Sequence, residues 1–375
     1  MKAMDIRGLI LVPAADQEQN KGLPCSPALL DVAGRTPAER MASRMQQAGV
    51  SAVSIVHAAD SPQWPAGVFS GIEYQHVGSK NLWPAAEAIF NHMGNSGAEL
   101  VLVCALNSYS EIHFEKLVQF HLDSRALITR ASSSSQPLEI FCVSPSRRGV
   151  AESLFRSRLA GQPQYAIFAG SGYVSSLVTA LDLRRLAIDI LTLRTETQPA
   201  FAQLRPGVWV GPGVLIEKDA RLLAPSFVGA FATVRAGAVI TRCSSIEQHA
   251  EVDCGTIVEN STLLPGVRIG AGLDLSHAVA GPRSIVSLRR NAMVEIADTR
   301  LIGHSSPLSW SRRLRAVGAT MDFRGVIRQR LLRRRLEEMA APEPAPDSVR
   351  AASAASLEIE PTGELSSGLM VVRRS

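Results

Sequence analysis

Cysteine is scarce in this chain of 375 residues: Cys25, Cys104, Cys142, Cys243 and Cys254 are odd in number, far apart and without a Cys-x-x-Cys pair. That argues against a disulfide framework and a cysteine-built zinc site, and it fits reduced thiols in a cytoplasmic protein. Long apolar runs are missing too. None reaches the roughly 18 residues a membrane-spanning helix needs, and the N-terminus lacks a charged stretch leading into an apolar one with a cleavage site. The expectation is a soluble chain. Net charge is only +5, no nucleic-acid partner is expected, and 46% hydrophobic content is ample to bury the cores of two domains ahead of a tail.

What the chain has instead is a period of six. Leu204, Val210, Ile216, Leu222, Val228, Val234, Ile240, Ile246, Val252, Val258 and Leu264 are all aliphatic, without exception. Four residues after each of the first ten stands a small or β-branched residue, from Val208, Val214 and Ala220 to Thr256 and Thr262. Six residues make one short strand plus a corner, so each unit sends one aliphatic side chain into a shared core. Three units close a triangular coil, which is the signature of a parallel β-helix. Gly or a short acidic residue beside the aliphatic one is expected to accommodate the corner. After Leu264 the register is read as slipping by one residue to Ile269 and Leu275, then weakening through Val279 and Ile285 into a terminal cap.

Beyond the repeat, positive charge crowds between Arg312 and Arg335, interleaved with Trp310, Leu314, Phe323 and Leu331. This predicts basic amphipathic helices over 306–339. Two readings stand side by side: contact with an anionic membrane surface or acidic partner, which would place the protein peripherally at a membrane, or docking on the β-helix with the arginines in water. From 340 to 375 the composition turns to Ala, Pro, Glu and Ser, as expected for a disordered tail.

Ahead of the repeat, apolar runs alternate with helical patterns, as in an α/β domain with a largely parallel sheet. A strand is predicted from Gly8 to Val12. A helix follows with Thr36 as N-cap, Pro37 in its first position and Gly49 closing it. SAVSIV reads as a strand, WPAAEAIFNHM as a helix and AELVLVCAL as a buried strand. SEIHFEKLVQFHL reads as a helix with Ser110 and His113 in its first turn. Strands at ALITRA and LEIFCV, a helix near 148–159 and a strand at QYAIFA complete the pattern.

This order, and the words LLDVAGRTPAERM, QQAGVSAVSIV, AELVLVCALN and YAIFAGSGYVSS, resemble the sugar-1-phosphate nucleotidyltransferases, the nucleotide-sugar pyrophosphorylases. The resemblance covers roughly Gly8 to Ser276. It implies a Rossmann-like nucleotidyltransferase domain over 1–200, followed by a left-handed β-helix over 201–305. It also implies chemistry in which a sugar phosphate attacks the α-phosphate of a nucleoside triphosphate. That reaction needs glycines and cations to hold phosphates and an acid to hold magnesium.

Against that family this chain departs at four places. PAADQEQNKG stands at the glycine-rich loop, with Gly22 its only glycine and Lys21 its only cation. Ser26-Pro27 replaces Pro-Lys, KNLWPA replaces the segment with a Gly-Thr-Ala, and Cys104, Ala105 and Leu106 occupy the Asn-Gly-Asp positions. Each loss removes a contact the transition state would use, so a degenerate site is expected. Candidate catalytic residues are Lys21, Asp16 and Asn107, with Glu18 as another stand-in for the missing metal ligand. Gly170, Ser171, Gly172 and Tyr173 are substrate-binding candidates, with a structural turn as the competing role. No cofactor is expected, or magnesium if the site is active; nucleotides or nucleotide sugars and a second copy of the chain are the expected partners. A third reading, acyl transfer, starts from His249, His277 and His304 as general bases on the repeat.

Overall fold

A computed structural model of the chain describes residues 4–14, 22–58, 71–133, 136–145, 166–305 and 369–371. Residues 1–305 and 370–375 form one unit, described below; the other, 306–369, lies outside the described residues apart from Leu369. The arginines from Arg312 to Arg335 therefore lie outside the description, as does the helix predicted near 148–159. The chain is mixed α/β, with many strands and few helices.

The predicted first strand lies within β1 (Ile6–Val12), where Leu9, Ile10, Leu11 and Val12 are fully buried. A strand apolar on both sides must be covered on both faces, and β1 is central. It pairs in parallel with β2 (Ala52–Ala58) and with β4 (Leu100–Ala105). On the far side of β2 lies β3 (Ile72–Val77), also parallel and absent from the sequence reading. A separate antiparallel ribbon joins β5 (Ser108–Ser110) to β9 (Val174–Ser176). With β6 (Ile128–Ser133), β7 (Gln136–Val143) and β8 (Ala166–Gly170), the main sheet has the order β3-β2-β1-β4-β7-β6-β8. The strand β7 runs antiparallel to both of its neighbours.

Helix α1 (Pro37–Gln47) starts as its sequence dictates: Thr36 Oγ1 accepts the Glu39 N–H, and the Glu39 carboxylate accepts the Thr36 N–H. Its Met41 and Met45 pack with Ile10, Ile55 and Leu102 on one face of the sheet. On the other face α2 (Leu82–Asn95) lays Leu82, Ala86 and Met93 against Leu9, Leu11, Val56 and Val101. Burying each large side chain contributes about 1.5–3 kcal/mol. The third helix corrects the sequence reading. Helix α3 (Phe114–Ser124) begins after His113, and Ser110 belongs to β5, because pairing with β9 supplies the backbone partners that a first helical turn would otherwise provide. A fourth helix, α4 (Ala180–Leu191), carries a second capping box between Thr179 and Asp182.

From Val208 onward, parallel ladders join residues 18 apart: Val210 to Val228 to Ile246, Ile216 to Val234 to Val252, and Leu222 to Ile240 to Val258. Three stacked parallel ladders of this kind are compatible with a β-helix. The aliphatic positions from Val210 to Val258 are buried, and so are the small residues Ser226, Ala232, Ala238, Ser244 and Ala250. The far end closes with antiparallel strands: Ser284–Ser287 pairs with Ala278–Ala280, and Ile302–His304 with Val267–Ile269. Antiparallel closure covers edges that would otherwise remain open.

Two positions of the repeat behave differently from expectation. Leu204 is 44% exposed, because β10 (Gln203–Arg205) runs antiparallel to the first coil strand as a lead-in. Leu264 is buried but is out of the aliphatic column, since Ile246 pairs with Leu263. The ladders show why. Thr241 pairs with Glu259 but Ser245 with Thr262, so one residue is missing between Glu259 and Thr262, ahead of the slip read from the sequence.

The corners also differ in their chemistry. Left-handed backbone occurs three residues past the aliphatic position, at Gly213, Asp219, Phe231, Gly237, His249 and Gly255. The glycines next to the aliphatic residues serve close approach instead: a Cβ on Gly211 would lie 2.5 Å from the Ala230 nitrogen, and one on Gly229 would lie 2.6 Å from that of Gln248. In the tail predicted to be disordered, Leu369–Val371 form a short strand. No helix among the described residues is long and apolar enough to cross a membrane.

Candidate functional site

Open α/β sheets bind ligands at the carboxyl ends of their strands, and two sequence-predicted groups lie along that edge, at opposite ends of one β-ribbon. Beyond β4, the Leu106 N–H is accepted by the Leu11 carbonyl, and the exposed Asn107 accepts the Leu177 N–H on its own backbone oxygen. The chain then enters β5, whose partner β9 follows directly on Gly170, Ser171, Gly172 and Tyr173. The Tyr173 carbonyl accepts the Glu111 N–H at 2.8 Å, which ties this turn to the end of β5. A Cβ on Gly172 would sit 2.6 Å from the Glu111 carbonyl oxygen, so only glycine fits without a backbone shift. Lys21, Asp16 and Glu18 lie outside the described residues. Gly22, at the end of their loop, packs on Val286 and Met293, and its carbonyl accepts the Ser284 hydroxyl at 2.8 Å.

Among the described residues, the side chains around the end of β4 are neutral where the resemblance asks for charge. Asn107 offers an amide, and Ser108, Ser171 and Ser175 offer hydroxyls. The nearest carboxylate along the chain, Glu111, is fully buried and turned inward. Its two oxygens accept the Glu196 N–H at 2.7 Å and the Thr197 N–H at 2.9 Å, and the Tyr109 hydroxyl donates to it at 3.2 Å. Tyr173 likewise commits its hydroxyl, donating to Asp189 at 2.7 Å. Ser26 is buried, and its carbonyl accepts the Leu29 N–H in a short 3-10 turn. Among the described residues no group of three or more His, Cys, Asp or Glu side chains is placed to hold a metal ion.

A second polar cluster, missed by sequence reasoning, lies where the sheet meets the coils. The LLDVAGR segment makes a tight turn in which Val32 N–H donates to the Arg35 carbonyl at 3.0 Å. Glu247, from the coils, accepts the Ala33 N–H at 2.9 Å and the Gly34 N–H at 3.0 Å, and takes the Ser245 hydroxyl as well. Arg40 donates to the Val32 carbonyl at 2.6 Å and to that of Gln198 at 2.9 Å. Asp31 is buried with them, and its pKa is raised well above the usual carboxylate value by burial and by the negative charges of Glu247 and Glu39. Glu247 is raised too, by burial, but its hydrogen-bond donors and Arg40 oppose the shift. The available signal was a glutamate at position 247, in register with Gly211 and Gly229 of the preceding coils.

Arg184 of α4 makes a further link. It is 1% exposed and donates to the Cys243 carbonyl at 2.7 Å, to Asn260 Oδ1 at 2.9 Å and to Thr262 Oγ1 at 3.3 Å. Burial lowers its pKa to about 10, so it remains a cation at neutral pH. The three histidines of the acyl-transfer reading are dispersed in their roles. His249 stacks on Phe231 with ring centres 5.3 Å apart at a corner, His277 Nε2 lies 3.1 Å from Arg289, and His304 stands exposed on the closing strand. Compared with known proteins, the chain matches no family model and no curated sequence.

Proposed function

We propose that this chain is a sugar-1-phosphate nucleotidyltransferase-like protein of nucleotide-sugar or polysaccharide metabolism that has lost catalysis and retains binding, regulation or assembly. In this reading a Rossmann-like domain precedes a left-handed β-helix. The observation that carries it is the end of β4. Asn107 emerges there as an exposed amide, while Glu111 is buried and spends both carboxylate oxygens on backbone N–H groups. A triphosphate and its magnesium need compensating charge at that edge. Neutral amide and hydroxyl groups suit a sugar better than a phosphate chain.

The test is direct. Purified full-length protein is incubated with magnesium, sugar 1-phosphates and each of the four nucleoside triphosphates, and pyrophosphate release is followed. No release above the protein-free rate is expected, with calorimetric binding of a nucleotide sugar that weakens in Asn107→Ala. Sustained pyrophosphate release would overturn the proposal, and the absence of any nucleotide-sugar binding would overturn its binding role and leave assembly alone.

A further inference from the structure

We propose that His57 and His76 form a two-histidine site for a divalent transition-metal ion such as zinc, cobalt or nickel. The proposal is independent of nucleotidyl transfer, because imidazole nitrogens suit these ions and magnesium prefers oxygen.

The placement follows from register. His57 and His76 are direct partners across the parallel pair β2 and β3, and Val12 of β1 stands in the same row. Direct partners on neighbouring strands project to the same side of a sheet. Each histidine is the penultimate residue of its strand, so the pair lies at the carboxyl edge, where open α/β sheets receive ligands.

Distance supplies the second argument. The two ring centres are 5.2 Å apart, with the planes inclined at 57°. A zinc–nitrogen bond of about 2.0–2.1 Å, plus about 1.1 Å from nitrogen to ring centre, puts each centre about 3.2 Å from a bound ion. Across a tetrahedral angle, two such centres are separated by about 5.2 Å. The side chains already stand at the spacing that a shared tetrahedral ion imposes.

Donor chemistry is the third. His57 Nδ1 is buried and has no hydrogen-bond partner among the described residues, an arrangement that costs free energy until the atom is used. His76 is exposed, so the remaining coordination positions open to water or to an anionic ligand. Two protein ligands with open positions make a site that binds reversibly, unlike the closed four-ligand sites that hold folds together.

The experiment uses the full chain, free of any histidine tag, titrated calorimetrically with zinc chloride, with the visible absorption of added cobalt as a second readout. One ion per chain is expected. Because losing even an outer-shell partner weakens a metal site about 10–100-fold, His57→Ala and His76→Gln should each weaken zinc binding by at least about tenfold. His76→Gln changes an exposed residue, and its unchanged circular dichroism separates loss of a ligand from loss of the fold. Cys254→Ser, which removes the exposed thiol, should leave the titration as it was. Zinc binding of equal strength in wild type and both histidine variants would overturn the site, as would a wild-type titration that shows no binding.

Discussion

The carboxylate of Glu247 holds the backbone of Gly34 at 3.0 Å, joining residues 213 apart in sequence. With the Ala33 N–H at 2.9 Å, it makes a two-pronged grip on a turn in which both residues have left-handed backbone, φ 50 at Ala33 and 86 at Gly34. The fit leaves no room for a side chain at Gly34. A Cβ there would lie 2.8 Å from the Phe227 ring and 3.0 Å from that of Phe201, and those two rings are themselves stacked 5.8 Å apart.

Glu247→Gln tests this grip. An amide can accept one backbone N–H but turns its own NH₂ toward the other, leaving two donors face to face in a buried place. The expected cost is about 1–3 kcal/mol, read as a lower urea midpoint with an unchanged slope. Unaltered stability would mean that the contact is incidental.

Asp31→Asn should act in the opposite direction. Its carboxyl has a folded pKa above the ordinary value of 3.8, so the folded state holds the proton more tightly than the unfolded one. That contribution to stability is complete below about 3.8 and disappears as pH rises through the folded value. At pH 8 the wild type must therefore either take up a proton on folding or bury a charge beside Glu247 and Glu39, and the asparagine variant escapes both. Its melting temperature should exceed that of wild type by about 2–4 °C at pH 8 and converge with it toward pH 4. A gain that did not shrink on acidification would assign the effect to packing. Combined with Glu247→Gln, the gain should fall, because the two groups share one electrostatic origin.

Thiol labelling should divide the cysteines into two classes. None of the five is in a disulfide, with Cys254 exposed and Cys243 half-buried. Burial pushes the Cys142 thiol up to about 12, and burial together with the Asp31 charge does the same for Cys25. Cys104 is raised by burial as well. Since the thiolate is the reacting form, native protein treated with an alkylating reagent should lose Cys254 first. Cys25, Cys104 and Cys142 should react only on unfolding, as peptide mass spectrometry would show. Early modification of Cys104 would place β4 nearer the surface than its complete burial indicates.

Local signals in the sequence were read correctly where local physics decides the outcome. Thr36, Pro37 and Glu39 specify the start of α1 without help from the rest of the chain, and the six-residue period places the residues from Val210 to Val258 inside the coils. Failures came where distant contacts decide. The strand IEYQHV alternates weakly and gains its place by pairing with β2. Ser110 looked like a helix start until β9 claimed it. At the candidate site, the pairing of β5 with β9 set Asn107 against Leu177 and the Gly170–Tyr173 turn against Glu111, an arrangement no spacing reveals. Glu247 was visible only as an oddity in a column of glycines, since its partners Ala33 and Gly34 lie in another part of the fold.

The residue missing between Glu259 and Thr262 sets a rule for anyone who would lengthen this molecule. Partners that lie wholly upstream of it are 18 residues apart, and partners that straddle it 17, as in Val252 to Ile269 and Val258 to Leu275; Leu263 to Ala280 is again 17, which marks a second missing residue between Ser276 and Val279. The shortfall delivers Leu264 to the seam that Glu247 occupies one revolution earlier, exchanging an ionic fastening for an oily one. A grafted segment would keep the closing strands in phase only if its length matched the advance of the revolution into which it was placed.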